Sequence, residues 1–303
     1  MHLGMIGLGK MGANMTTRLI EGGHTLVVTD LSTEAIQKAS EDGAIGASTA
    51  SELVAKLPAP RTVWVMVPSG NPTESIIKAL SELLQSGDIL IDGGNSNYKD
   101  SMRRAAELAA KGIHFVDVGT SGGVWGLKNG YSMMIGGDEA AVEALRPIFE
   151  TLAPSPTDGW GRVGKAGSGH FVKMIHNGIE YGMMQAYAEG FAILEAKKDF
   201  GLDLADVARI WQVGSVVKSW LLDLTAEALQ EDQKLDDIAA YVSDSGEGRW
   251  TVLEALELNV SAPIIMLSLE RRIRSREAAP YADKLLSVMR NQFGGHSIKK
   301  QDG

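Results

Sequence analysis

Short runs of Val, Ile, Leu and Met recur through the first half of the chain, each closed by Gly, Asp or Pro: LGMIGLG, TLVVTD, TVWVMVP, ILIDGG, HFVDVG and YSMMIGG. Runs that are apolar throughout, rather than alternating, mark strands buried on both faces of a mostly parallel sheet. Between them, residues 11–22, 33–42, 73–86 and 98–111 carry apolar positions at helical spacing. This alternation predicts a doubly wound α/β sheet with ligands at the carboxyl ends of its strands. Residues 151–169 are rich in Pro and Gly and read as a boundary. Beyond them no strand pattern recurs, and residues 170–198, 203–213, 215–231, 234–242, 249–257, 262–275 and 278–290 read as helices. The expected organisation is an α/β domain over residues 1–163 and an all-α domain over 164–303, without internal repeats.

The helix opening the second half, HFVKMIHNGIEYG at 170–182, has an unusual pattern. At 100° per residue, Lys173, His176, Asn177, Glu180 and Tyr181 share one sector, while Phe171, Ile175, Ile179 and Met183 lie largely opposite and are expected to be buried. A solvated helix face is usually written in Glu, Lys, Gln and Ala, not in His, Asn and Gly, which are poorer helix formers by up to ~1 kcal/mol each. A lysine, a histidine and a glutamate on one face, beside glycines that admit a close neighbour, are a plausible proton-handling set.

The chain of 303 residues is 44% hydrophobic and 22% charged, enough for two ordinary cores. A formal net charge of −9 argues against a general nucleic-acid or anionic-membrane binder. Any anionic substrate therefore requires a local cationic cluster. The absence of cysteine excludes disulfides, thiolate nucleophiles and cysteine-ligated metals. With no secretory pattern ahead of the first strand and no apolar run of membrane-spanning length, a soluble cytoplasmic protein is expected.

MIGLGKMGANM carries Gly7, Gly9 and Gly12 in the spacing G-x-G-x-x-G, directly after a strand and opening a helix. In that context the turn formed with Leu8 and Met11 offers backbone N–H groups to a pyrophosphate. Asp30, eighteen positions beyond Gly12, ends the next strand where a carboxylate accepts hydrogen bonds from the adenosine ribose. A 2′-phosphate there would meet a carboxylate followed by Leu31, Ser32 and Thr33 rather than by a cation, so NAD is expected over NADP. Two further Gly-rich stretches, IDGGNSN at 91–97 and GTSGGVWGLKNG at 119–130, follow strands and are candidate substrate loops. LERRIRSRE at 269–277 concentrates four arginines, a solvated face or a phosphate or carboxylate clamp. RNQFGGHS places Arg290 six residues before His296 in a tail whose Phe293 and paired glycines fit docking better than fraying.

Together these motifs resemble the 6-phosphogluconate dehydrogenase family, in its short form with a single helical unit. GLGKMGANM, DGGNS, TSGG, GSGHFVKMIHNGIEYG, GEGRW and the R…FGGH tail occur in the family's order along the whole chain. The resemblance implies oxidative decarboxylation of 6-phospho-D-gluconate to D-ribulose 5-phosphate and CO2 with reduction of NAD(P)+, in the pentose phosphate pathway. It implies that a neutral Lys173 takes the C3 hydroxyl proton as hydride leaves C3, then protonates the 3-keto oxygen during decarboxylation. It implies that Glu180 protonates C1 of the enediol, and that no metal takes part. The same matching gives Gly7, Leu8, Gly9, Met11, Gly12, Asp30, Val67 and Asn95 to the cofactor. Asn95, Ser121, Gly122, Gly123, His176 and Asn177 go to substrate, and Tyr181 and Arg272 to its phosphate. Arg290 and His296 match a tail inserted into a neighbouring subunit, implying self-association.

One departure stands out: where longer members carry a lysine and a threonine for the phosphate, this chain has Ser245 and Glu247, with Arg249 just after, so Ser245, Arg249 or Arg274 are candidates for that contact. The competing readings are another β-hydroxyacid dehydrogenase acting on a small unphosphorylated acid, and a non-catalytic dinucleotide sensor. Neither needs Lys173 and Glu180 together with the arginine cluster.

Overall fold

The computed structural model describes residues 1–294 and 297–299. Among these, eight strands form one sheet: β1 His2–Ile6, β2 Thr25–Thr29, β3 Ile45–Gly46, β4 Thr62–Val65, β5 Ile89–Asp92, β6 His114–Ser121, β7 Ser132–Gly136 and β8 Trp160–Gly164. Their spatial order is β3-β2-β1-β4-β5-β6-β7-β8. Every neighbouring pair is parallel except β6 and β7. The chain starts in the middle, winds to one edge through β3, then crosses back to β4 and winds to the other edge. The strand order reverses between β1 and β4, which opens a crevice at their carboxyl ends. The expected doubly wound fold is what forms.

Alternate residues of each strand feed opposite layers, which is why the runs are apolar throughout. In β4, Val63 and Val65 join Leu53, Ile77 and Leu80 on one face, while Trp64 between them joins Met15, Ile91 and Phe149 on the other. Each such buried aliphatic side chain is worth ~1.5–3 kcal/mol.

By contacts the chain divides into Met1–Asn177 and Gly178–Gly303. The division falls inside the helix Ser168–Ala196, the longest of the described residues. Among the described residues the second unit has helices and connecting loops but no strand, around a cluster of Phe191, Leu204, Ala208, Leu222 and Leu229 and a smaller one of Tyr181, Val252 and Leu269.

Several local expectations are corrected. Residues 234–242 form no helix; Leu235 takes a left-handed φ of 55° amid Asp236 and Asp237, poor helix formers. The stretch read as a boundary contains β8, an exposed edge strand whose WGRVG lacks an apolar run. The helix Ala50–Lys56 was not anticipated, although Thr49 caps it: Thr49 Oγ1 accepts the Glu52 N–H, and the Glu52 carboxylate accepts the N–H of Ser48 just before the cap. In the long helix the burial is partly reversed from expectation. Ile179 is 52% exposed and Met183 is exposed, Phe171 and Ile175 are half-buried, and Lys173 and Tyr181 are buried.

Candidate active site

The turn after β1 is shaped by its glycines. Gly7 has a φ of 100°, and a Cβ on Gly12 would stand 2.0 Å from the Gly7 carbonyl oxygen. A Cβ on Gly9 would meet nothing, so the turn opens outward there. The helix Lys10–Glu21 that follows has neither a side-chain cap nor an acidic residue in its first turn, so its N-terminal N–H groups are left for an anion. Asp30 is bound into the same turn: the Leu8 N–H donates to its Oδ2 at 2.6 Å and the Ser32 N–H to its Oδ1 at 2.8 Å. One carboxylate thus ties the phosphate turn to the ribose position. Leu31, the next residue, is fully exposed and supplies no charge for a 2′-phosphate. The open glycine turn, the uncapped helix start and Asp30 fit an NAD dinucleotide.

Val67, half-buried, lies just past β4 at the crevice. Past β5, Asn95 takes a left-handed φ of 50°, and its side chain exchanges two hydrogen bonds with the Thr120 backbone: Nδ2 to the carbonyl oxygen at 3.2 Å and Thr120 N–H to Oδ1 at 2.9 Å. This brings the loop after β5 against the one after β6, where Ser121, Gly122 and Gly123 follow.

Lys173 is presented to this carboxyl edge by the first turns of the long helix. Asp117, fully buried in β6, accepts the N–H groups of Gly167 (2.6 Å) and His170 (2.8 Å) and so anchors the helix start to the sheet. Glycines permit the contact: a Cβ on Gly169 would stand 2.5 Å from the carbonyl oxygens of Asp117 and Met134, and one on Gly119 would stand 2.3 Å from Lys173 Cβ. Lys173 is 5% exposed; its Nζ donates to Asn177 Oδ1 at 2.7 Å and lies 3.3 Å from His176 Nδ1. His176 Nδ1 is 3.0 Å from the same Asn177 oxygen. The three polar residues read from the helix face therefore form one hydrogen-bonded group.

In the second unit, Tyr181 is the centre of another group. Its hydroxyl accepts the Ser245 N–H at 3.2 Å and lies 3.2 Å from Ser245 Oγ. Its ring fills the space where a Cβ on Gly248 would fall, and the Arg272 guanidinium lies 3.5 Å over it. Arg272 also donates to the Ser243 carbonyl oxygen at 3.1 Å and has no carboxylate partner among the described residues. Arg249 is paired with Asp244 at 2.6 Å and Arg274 with Asp283 at 2.6 Å, so neither is an idle cation. Burial pushes the Asp244 carboxyl up, but the Gly246 N–H, the Arg249 guanidinium and the Tyr181 hydroxyl outweigh it and leave it below its ordinary value. Glu180, half-buried, precedes Tyr181; Glu247 opens the helix Glu247–Glu257; Arg290 is exposed on the last helix. His296 lies outside the described residues.

Asp117, Asp92 and Arg104 were not read from sequence as site residues. A lone acid within an apolar run, as in HFVDVG, is a signal, since a buried carboxylate needs donors. Arg104 lies in an ordinary amphipathic helix and leaves no such trace.

An open dinucleotide cradle and a buried lysine at the carboxyl edge of one sheet define the class: a nicotinamide-dependent dehydrogenase. The profile of the NAD binding domain of 6-phosphogluconate dehydrogenase matches residues 2–161, and that of the 6-phosphogluconate dehydrogenase C-terminal domain matches residues 169–303. The chain belongs to the 6-phosphogluconate dehydrogenase family. It is 42% identical to the NAD(+)-dependent, decarboxylating 6-phosphogluconate dehydrogenase of Haloferax volcanii, over 100% of both chains. The solved 6-phosphogluconate dehydrogenase of Plasmodium falciparum is 29% identical with a TM-score of 0.84, covering 100% of this chain and 67% of that one. The 3-hydroxyisobutyrate dehydrogenase of Mycobacterium tuberculosis shares the fold at 21% identity, with a TM-score of 0.72 over 89% of this chain and 91% of that one.

Proposed function

We propose that this chain oxidises and decarboxylates 6-phospho-D-gluconate to D-ribulose 5-phosphate and CO2, with NAD+ preferred over NADP+ as acceptor. The observation that carries the reading is the hydrogen-bonded Lys173–His176–Asn177 group, with its lysine buried against Gly119 of β6, in the same sheet whose β1 ends in the dinucleotide turn. NAD+ held by the glycine turn and Asp30 would supply the acceptor for the hydride that leaves C3. Lys173 takes the proton of the C3 hydroxyl and returns one to the 3-keto oxygen as the C1 carboxylate leaves as CO2. Asn177 and His176 orient the lysine and the hydroxyls. Glu180 protonates the carbon that CO2 leaves behind, C2 of the sugar acid and C1 of the enediol. Asn95 and the Ser121, Gly122, Gly123 loop hold substrate against the nicotinamide near Val67. Tyr181, Ser245 and Arg272 take the phosphate; the Arg272 guanidinium, without a carboxylate partner among the described residues, supplies a local positive charge in a chain of net charge −9.

Residues 1–163 serve as the cofactor domain and 164–303 as the domain for substrate and self-association, in a cytoplasmic enzyme. No helix of the described residues is long and apolar enough to cross a membrane. Self-association is supported by apolar side chains left uncovered in one chain, including Ile179, Ile193, Val216, Leu256 and Ile264. Arg290 and His296 then complete a neighbour's site.

Initial rates of NADH and NADPH formation from 6-phosphogluconate, with gluconate as control and Lys173→Met beside the wild type, test the reading. Turnover with NAD+ that needs the phosphate and disappears in the variant is expected. Absence of turnover with either cofactor would sink it.

A further inference from the structure

Asp92 closes β5 with its carboxylate fully buried, and Arg104, 2% exposed, reaches it from the helix Tyr98–Ala109 with Nη1 3.0 Å from Oδ2. The same guanidinium donates through Nε to Glu74 Oε2 at 2.9 Å and through Nη1 to Ser96 Oγ at 3.3 Å. Ser96 Oγ donates to Asp92 Oδ2 at 2.8 Å, and the Gly94 N–H to Asp92 Oδ1 at 3.0 Å. These contacts bracket Gly93, Gly94 and Asn95 from both ends. Asn95 is one of the described non-glycine residues in the left-handed region, a conformation side chains adopt rarely and hold only where neighbours impose it. Glu74 belongs to the first turn of the helix Asn71–Leu83, which follows the loop carrying Val67. Arg104 therefore joins the helix that follows the β4 loop to the loop after β5, beside the exposed Arg103 that donates to the same Glu74, and Asn95 passes the constraint on to Thr120 at the end of β6.

A buried ion pair gains little net stability, because desolvation offsets most of the attraction, and an apolar pair of similar volume would serve the fold as well. What it supplies is a fixed geometry of five N–H donors in one plane. We propose that Arg104 is a positioning residue, holding the loops after β4 and β5 in register so that Val67 and Asn95 meet the nicotinamide half of the dinucleotide. The cofactor's identity rests on the function proposed above; the positioning does not depend on the sugar acid.

The test compares wild type, Glu74→Ala, Arg104→Lys and Arg104→Met by NADH Kd, from calorimetric titration, and by thermal midpoint. Glu74 is half exposed and its loss leaves Arg104 paired with Asp92, so this variant keeps its fold if Arg104→Met does not. The expected result is an NADH Kd weaker by about 3- to 10-fold in Glu74→Ala, with a midpoint within about 4 °C of wild type. Arg104→Lys is expected to bind more tightly than Arg104→Met. A folded Glu74→Ala with the wild-type Kd would overturn the proposal, leaving Arg104 as a staple of the fold alone. Wild type that binds NADH but does not turn over 6-phosphogluconate would sink the function proposed above, while the Kd comparison would still decide this one.

Discussion

At the residue scale, two positions bear on the proposed site. Asp30 has both oxygens engaged by backbone N–H groups of the glycine turn and of Ser32, so its charge stays at the ribose edge. Leu31 beside it is open to solvent. Leu31→Arg is expected to raise the ratio of kcat/KM for NADP+ over NAD+ at least about tenfold, by giving a 2′-phosphate a guanidinium partner. Steady-state rates with each cofactor check this, and an unchanged ratio would show that Asp30 alone sets the preference. Gly119 is the second position. An added methyl group there would stand 2.3 Å from Lys173 Cβ and 2.7 Å from the Gly169 carbonyl oxygen, so the helix must shift. Gly119→Ala is expected to cost ~1–3 kcal/mol of stability, measured by urea unfolding. Its kcat is expected to fall by up to ~100-fold, because the proposed base Lys173 is displaced from the hydroxyl whose proton it takes.

Elements turn single residues into a site. Asp117 holds the start of the long helix on β6, and from that anchor helical pitch sets where Lys173, His176 and Asn177 stand. In the second unit the loop before the helix Glu247–Glu257 depends on Asp244, 4% exposed, which accepts the Gly246 N–H at 2.8 Å and pairs with Arg249. Its carboxyl lies below its ordinary 3.8 when folded, with burial opposing and the Gly246 and Arg249 contacts prevailing. A group depressed on folding adds stability above its unfolded pKa and loses it as pH falls through the lower folded value. The gap in thermal midpoint between wild type and Asp244→Asn is therefore expected to be constant above about pH 5 and to close below about pH 4. Melting curves across that range check it; a gap independent of pH would mean that the loop does not use the charge.

At the scale of the whole molecule, the apolar side chains exposed on the second unit support the proposed self-association. Fully exposed Val216, with Ile193 and Ile264, fits contact with another copy. If the tail beyond Arg290 completes a neighbour's site, two inactive chains complement each other. Lys173→Met co-expressed with a chain truncated after Met289 is expected to recover about 25% of wild-type activity, since half the dimers are mixed and each mixed dimer holds one complete site. No recovery from a verified mixed dimer would exclude the inserted tail.

The sheet, the glycine turn with Asp30 and the polar helix face were legible in the chain because each is a local pattern, set by strand period, turn conformation or helix pitch. The hydrogen-bonded group of Lys173, His176 and Asn177 lies within one helical turn, so its spacing already declared it. Asp117, Arg104 and the Tyr181–Ser245 contact were not legible, because His170, Glu74 and Ser245 lie 53, 30 and 64 residues from their partners, and no periodicity links those pairs or Arg104 to Asp92. Nor did periodicity alone tell which face of the long helix is buried. It separates apolar from polar, but Gly119, Gly169 and Gly248 let Lys173, the helix backbone and Tyr181 approach their neighbours, while Ile179 is left exposed. The sequence by itself determined the fold class and the chemistry on offer. Only the tertiary structure decided which charges are held in place, because desolvation and hydrogen bonding depend on neighbours that folding alone brings within reach.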